Sequence, residues 1–457
     1  MLTELHNDLI SCRYYRRGEL VWACLDPPIR GQQDAEKITF WPGIVGEIHL
    51  QVKVNHPSDD SFVPSQNYAY TVHLLAVHQA HVFPEAQILP HQAYVQSGAL
   101  SQRLHIFQPP SDLSPDLSEF SSFKPLQKSS FDDVPYPEAP RFEDALGPYI
   151  LAVRINEFLT TYFKPIGKWI FYSEEPSNGV NGSSTNGSSG SVHGTFMKAH
   201  HRYQGLWWGA EKLWTGDLVR IKPERSKFPA EIRASFKPPA STEEHHERRL
   251  LFFRIESIYV DKAPIEAQTS GGSCKVAGSI YETVDLDFEE PPEPFSTREP
   301  THPHPLSQLS NPAPPSSKGK NKADMEQYPL PKPPPGFKFR QITKPGTEIT
   351  FPAPLIAGRY YPDILTNPLI GLTADDIENT VKGSTLADAD RDNRVLVLLS
   401  LGGLEQGWIN SMGAKYWKES RKGMLQQSVS EAQKEIYAWL RHPPVPPSSG
   451  FMEDVFS

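Results

Sequence analysis

Apolar and polar positions alternate over several short stretches of this chain, and give way to helical spacing in only a few places. Phe252-Phe-Arg-Ile-Glu-Ser-Ile-Tyr259 alternates over most of its length, as a strand with one buried face does. Upstream, Gly216-Asp217 is turn chemistry ahead of Leu218-Val219-Arg220-Ile221, whose β-formers predict a second strand. Lys275–Glu282 reads as another, and order returns at Gly336–Arg340 after a long Pro-rich stretch. Nearer the N-terminus, Gly18–Ala23, Ile38–Ile48, Tyr68–Val77 and the short Ile88–Pro90 are separated by Pro, Gly and Asp turns, the pattern of a small β-barrel.

Helical spacing occurs at Leu146, Ile150, Val153, Leu159, Tyr162 and Phe163, with the helix expected to begin near Pro148. The region from Leu372 to His442 is expected to be helical. It opens on a capping-box-like Thr373-Ala-Asp-Asp376 and has an apolar run over Asp392–Leu401 that Gly402-Gly403 ends. Its last helix spans Ser428–Arg441, with Val429, Ala432, Ile436, Trp439 and Leu440 spaced for one face. Pro- and Ser-rich stretches at 101–140 and 289–335, and an Asn-Gly-Ser stretch at 173–195, read as linkers. The expected organisation is a barrel over 10–100, a linker or strap over 101–140, and a packing helix and strand over 141–172. After the linker at 173–195 come a second barrel over 196–365 holding a disordered insertion at 289–335, helices over 366–442 and a flexible tail over 443–457. The fold class is mainly β with added helices, a β+α multidomain chain built on two small β-barrels.

Composition bounds the chemistry. The chain has 457 residues, 38% of them hydrophobic, and 45 prolines, which agrees with extended linkers between domains. Its 45 basic and 54 acidic residues give a net charge of −9, against a broadly basic nucleic-acid surface but not against a local patch. Cys12, Cys24 and Cys274 form neither metal-ligand spacing nor a disulfide framework, which points to a reducing compartment. No apolar run approaches the roughly 20 residues of a membrane span. His73, His78 and His81 lie close together without further ligands, so they read as rim histidines and no metal is expected. No nucleophile elbow, phosphate loop, kinase signature or dinucleotide fingerprint occurs, so no catalytic residue and no cofactor is assigned. The weight moves to a binding protein.

Three resemblances sharpen this picture. Gly-Glu-Leu-Val-Trp-Ala, Phe-Trp-Pro-Gly-Ile-Val and Tyr-x-Val-x-Leu-Leu in the first barrel look like the PWWP/Tudor group. Many of those barrels read methylated lysine through an aromatic cage. The usual cage positions fall here on Leu25, Trp41 and about Leu75, of which only Trp41 is aromatic. Trp22, Phe40 and Tyr70 lie nearby, so Trp41, Phe40, Tyr70 and Trp22 are either barrel core or a candidate ligand surface. In the second barrel, Gly-Asp-Leu-Val-Arg followed by Arg-Ile-Glu-Ser-Ile-Tyr, with Leu-Ile-Ala-Gly-Arg-Tyr as closing strand, resembles the bromo-adjacent homology (BAH) fold. Together with Tyr-x-Gly-Leu-Trp-Trp-Gly-Ala-Glu-Lys-Leu-Trp-Thr-Gly-Asp-Leu-Val-Arg, these phrases resemble the cryptic loci regulator 2 family of fungal transcription-silencing proteins, over roughly residues 10–95 and 140–442. That resemblance implies a nuclear, non-catalytic scaffold in heterochromatin, part of the SHREC silencing complex. Its partners would be histone deacetylase and chromatin-remodeller subunits, and nucleosomes. The alternative is a direct reader of histone tails or DNA, through the aromatics above or a basic surface at Arg13, Arg16 and Arg17. Trp207, Trp208 and Trp214 are expected in the core or at a subunit interface, with Trp207 and Trp208 on opposite faces of a strand.

Overall fold

The computed structural model describes residues 14–33, 36–53, 65–106, 118–131, 136, 138–175, 196–240, 250–260, 274–290, 329–344, 347–373, 389–407 and 409–441. Arg13, most of the expected linkers at 173–195 and 289–335, the Thr373–Asp376 capping box beyond Thr373 and the tail at 443–457 lie outside them.

The first five strands are β1 (Leu20–Arg30), β2 (Lys37–Lys53), β3 (Ser65–Leu74), β4 (Ala80–Pro84) and β5 (Ile88–Pro90). They form an antiparallel sheet in the order β4-β3-β2-β1-β5. Three helices follow: α1 (Gly98–Ile106), α2 (Ser118–Ser122) and α3 (Phe142–Thr160). Helix α3 begins six residues before Pro148 and keeps that proline inside. Glu143 and Asp144 in its first turn favour the earlier start, and the near-continuous burial of its residues compensates for the backbone bond that Pro148 cannot donate.

The second sheet contains β6 (Tyr162–Glu175), β7 (Phe196–Trp208), β8 (Glu211–Trp214), β9 (Leu218–Ile221), β10 (Leu251–Val260) and β11 (Cys274–Asp285), with the short helix α4 (Ala230–Arg233) between β9 and β10. It continues with β12 (Phe337–Gln341), β13 (Ile349–Pro352) and β14 (Ile356–Arg359). Helix α5 (Ala389–Leu401), the two-residue edge strand β15 (Tyr416–Trp417) and helix α6 (Arg421–Arg441) complete the chain. The main path is β12-β11-β10-β7-β6-β15, with β13 on β11, β8 on β7, and β9 between β10 and β14. Strands on both sides of the Pro-rich segment therefore pair within one sheet: Asp285 lies opposite Phe337, and Ile221 opposite Ile356.

The mainly β class with added helices holds. Closed barrels do not appear among the described residues, because neither path of paired strands returns on itself. Other groups cover the open ends. The segment after α2 lies along β4, where Val82 N–H donates to Ser130 Oγ at 3.2 Å and Gln79 exchanges two hydrogen bonds with the Leu126 backbone. At the other end the Leu20 amide donates to the Ala210 carbonyl of the second sheet at 3.0 Å. Part of the expected 101–140 linker is thus a strap against the first sheet. One apolar core runs through both sheets and the helices. Met424, Ser428, Ala432 and Ile436, each four residues on from the last, form the buried stripe of α6, and this helix packs on α3.

Candidate functional site

The aromatic candidates of the first sheet are interior. Trp41 is 0% exposed, donates its indole N–H to the Leu75 carbonyl at 2.9 Å and packs 5.2 Å from Tyr149. Tyr70 is also buried, with its hydroxyl donating to Glu85 at 2.7 Å and its ring edge-on to Tyr15. Trp22 donates to the His91 carbonyl at 2.8 Å, and both Trp22 and Phe40 pack on Tyr94. Of the two readings open for these rings, their placement is that of core. Trp207, Trp208 and Trp214 are buried too. His73 and His78 are exposed, and His81 is half-buried at the rim, where burial lowers its pKa. Among the described residues no group of three or more metal-ligating side chains converges.

The basic candidates divide. Arg17 is exposed, whereas Arg16 turns inward and holds Asp217 with both terminal nitrogens, at 2.6 and 2.7 Å. This fork begins a charged network that fastens the first sheet to the second. Glu19, 2% exposed, accepts two bonds of 3.0 Å from Arg359, one of 2.9 Å from the Lys212 amide and one of 2.8 Å from the Arg16 amide. Glu211 accepts from the Arg359 amide at 2.7 Å and from the Tyr361 hydroxyl at 3.0 Å. Arg220, 0% exposed, donates to the Arg359 carbonyl, to Ser400 Oγ and to Gln92 Oε1, the last at 2.6 Å. Gln92 lies just past β5 and bonds the Ala357 carbonyl, so β14 of the second sheet and α5 are tied to the first sheet. Arg421, at the start of α6, donates to the Gly18 and Gly209 carbonyls and stacks 4.4 Å over Trp207.

Buried charges survive only when they are paired and hydrogen-bonded. Burial alone would raise the pKa of Asp217, but the charge and hydrogen bonds of Arg16 outweigh it and hold the carboxyl below its usual range. Burial lifts Glu211, with Arg359 opposing, and brings Arg220 down to about 10, with Glu211 opposing. Arg359 is raised despite its burial, because Glu19 faces it. Gly358 is required at the centre. Its φ is +148°, and a Cβ there would lie 2.4 Å from Gln92 Oε1 and 3.1 Å from both Arg220 Nη2 and Glu211 Oε2.

Most of this second-sheet half lies within one segment. Residues 202–362 match the family model described as transcription-silencing protein Clr2. This segment belongs to the Clr2 family. Five side chains of the network fall in the Clr2-family segment: Glu211, Asp217, Arg220, Arg359 and Tyr361. A solved structure, Clr2 bound to the Clr1 C-terminus, aligns with 96% of this chain at 14% sequence identity and a TM-score of 0.38, and the chain spans 64% of that relative's length. No curated protein matches the chain.

Sequence reasoning missed the network. One signal was present: Arg220 and Arg359 sit in the strands Leu-Val-Arg-Ile and Ile-Ala-Gly-Arg, each buried at all four positions. A cation inside a fully apolar strand requires a buried partner. The partners are remote in sequence, 201 residues apart for Arg16 and Asp217 and 340 for Glu19 and Arg359.

Proposed function

We propose that the protein is a non-catalytic scaffold subunit of a histone-deacetylase silencing complex, acting on chromatin in the nucleus. Transcriptional silencing is the function of the Clr2 family to which residues 202–362 belong. The observation that carries the scaffold reading is the network itself. Charges at the join of the two sheets are consumed in holding one sheet against the other, so the chain offers its outer faces as a fixed platform. A cleft of about 200 Å³ between α1, α3 and α6 is walled by Leu104, Ile150, Val153 and Trp439, and its ionic pair, Arg154 and Glu157, is closed at 2.6 Å. That lining suits an apolar contact better than acid–base chemistry. Partners in this reading are histone deacetylase and chromatin-remodeller subunits, and nucleosomes. A direct histone-tail or DNA reader working through the first sheet has less to recommend it, since its four aromatics and Arg16 face inward.

The test is affinity purification of the tagged full chain from nuclear extract, followed by mass spectrometry. Recovery of a histone deacetylase and a remodelling ATPase together with core histones is expected. Recovery of the chain without any deacetylase subunit overturns the proposal.

A further inference from the structure

Residues Leu330–Pro335 form a strap over aromatic rings of the second sheet. Its sequence dictates its conformation. Each residue of Leu330-Pro-Lys-Pro-Pro-Pro335 is a proline or precedes one. A proline ring fixes φ at about −65° and keeps the residue before it out of the α region, which leaves the polyproline II form with three residues per turn. Burial follows that period. Lys332 and Pro335, three apart, are exposed, whereas Leu330, Pro331 and Pro333 are half-buried and Pro334 is buried. A type II turn ends the strap and sends the chain into β12: the Phe337 amide donates to the Pro334 carbonyl at 3.1 Å, with Gly336 at φ +85°.

Beneath the strap is a small apolar cluster separate from the main core. Phe252 of β10, Phe339 of β12 and Tyr360, just past β14, stand edge-on to one another, with ring centres 5.1, 5.2 and 5.8 Å apart. Leu330 packs against this cluster. Pro334 meets the rings at Gly403, where an added Cβ would lie 2.9 Å from both Phe252 and Tyr360 and 3.2 Å from Pro334 Cγ. The Tyr360 hydroxyl donates to the Lys332 carbonyl at 2.9 Å. Prolines carry no amide, so such a strap presents mainly carbonyls, and a hydroxyl among aromatic faces is the group that matches it. On the outer side the tie is weak: Lys332 meets Asp363 at 3.4 Å, with both side chains exposed.

We propose that this groove is a docking site for a Pro-rich extended segment of a partner protein, of the pattern Leu-Pro-x-Pro-Pro, and that the chain's own strap fills it until such a segment takes its place. Recognition of a preformed, amide-poor helix calls for aromatic faces against the proline rings and a donor for a carbonyl, and the groove supplies both. A segment already in the polyproline II form loses little entropy on docking. The strap itself gives the register: Leu330 and Pro334 face the rings and Lys332 turns to solvent. Exchange is open to it because apolar contact and a hydroxyl hold it, not strand pairing. The groove's chemistry holds whichever complex the scaffold serves.

The experiment is fluorescence anisotropy of a labelled Leu-Pro-Lys-Pro-Pro-Pro peptide, titrated with the full chain and with its variant Leu330→Ser/Pro334→Ser, which removes the strap's two apolar anchors. A strap in place about nine-tenths of the time weakens a competing peptide about tenfold, so the double variant is expected to bind about tenfold tighter than wild type. Pro334→Ala alone is a milder opening that falls between the two, and it carries the test if the double variant loses its cooperative thermal transition. Adding Tyr360→Phe to an opened chain weakens the peptide about fivefold. A Leu-Gly-Lys-Gly-Gly-Gly peptide does not bind. Equal affinity in wild type and the opened variants, no binding to a folded opened variant, or equal binding of the glycine peptide would each overturn the proposal. A wild-type dimer in light scattering that Leu330→Ser/Pro334→Ser dissolves would assign the groove to the strap of a second copy and overturn it as well.

Discussion

Gly358 shows how much the join between the sheets depends on single atoms. No side chain fits there, since the first carbon would enter the space of Gln92, Arg220 and Glu211. Gly358→Ala is expected to cost about 2–4 kcal/mol in urea unfolding, from backbone strain and from displaced buried hydrogen bonds. A neutral result would mean that the network yields easily. His91 supplies a second test. Its imidazole faces Arg421 and Asn156, and burial followed by the Arg421 charge brings its pKa down to about 4. The unfolded chain titrates near 6.5, so between the two values only the unfolded state binds the proton. Stability therefore falls as the pH drops from about 6.5 to 4, by up to about 3 kcal/mol. In His91→Gln the loss over that window is expected to shrink by most of this amount, as measured by denaturation at several pH values.

Among elements, strands were the most legible feature of the sequence. Leu218–Ile221 and Phe252–Tyr259 are found where alternation and turn chemistry place them, within β9 and β10. Strands β11 and β12, on either side of the Pro-rich segment, pair in one sheet. Boundaries were less legible where tertiary contacts set them. Helix α6 starts at Arg421, seven residues before the expected Ser428, because Arg421 is held by Gly18 and Gly209 from both sheets. Strand β15 has only two residues and gave no periodic signal. The pairing of Asp285 with Phe337 carries a prediction of its own. Replacing residues 291–328 with a short Gly-Ser linker should leave the thermal midpoint within a few degrees of the wild type, since closing a shorter loop changes the entropy only slowly. A large fall in the midpoint, read by circular dichroism, would show that the segment holds the sheet together.

At the scale of the whole molecule, sequence reasoning expected two small β-barrels, and the described residues form two open sheets that share one apolar core. The alternating pattern shows which strands exist, because each strand's burial is written locally. It does not show which surfaces of two sheets meet, because that depends on pairs such as Glu19 and Arg359, 340 residues apart. Trp41 illustrates the same limit: beside Pro42-Gly43 it resembled a cage residue, and the packing of Tyr149 from α3 makes it core. A scaffold needs this rigidity, since partners docked on separate faces keep their geometry only if the faces do not move. Differential scanning calorimetry of the full chain tests the point most directly. The account predicts one unfolding transition whose van't Hoff and calorimetric enthalpies agree. Two resolved transitions, with the first sheet melting apart from the second, would contradict it.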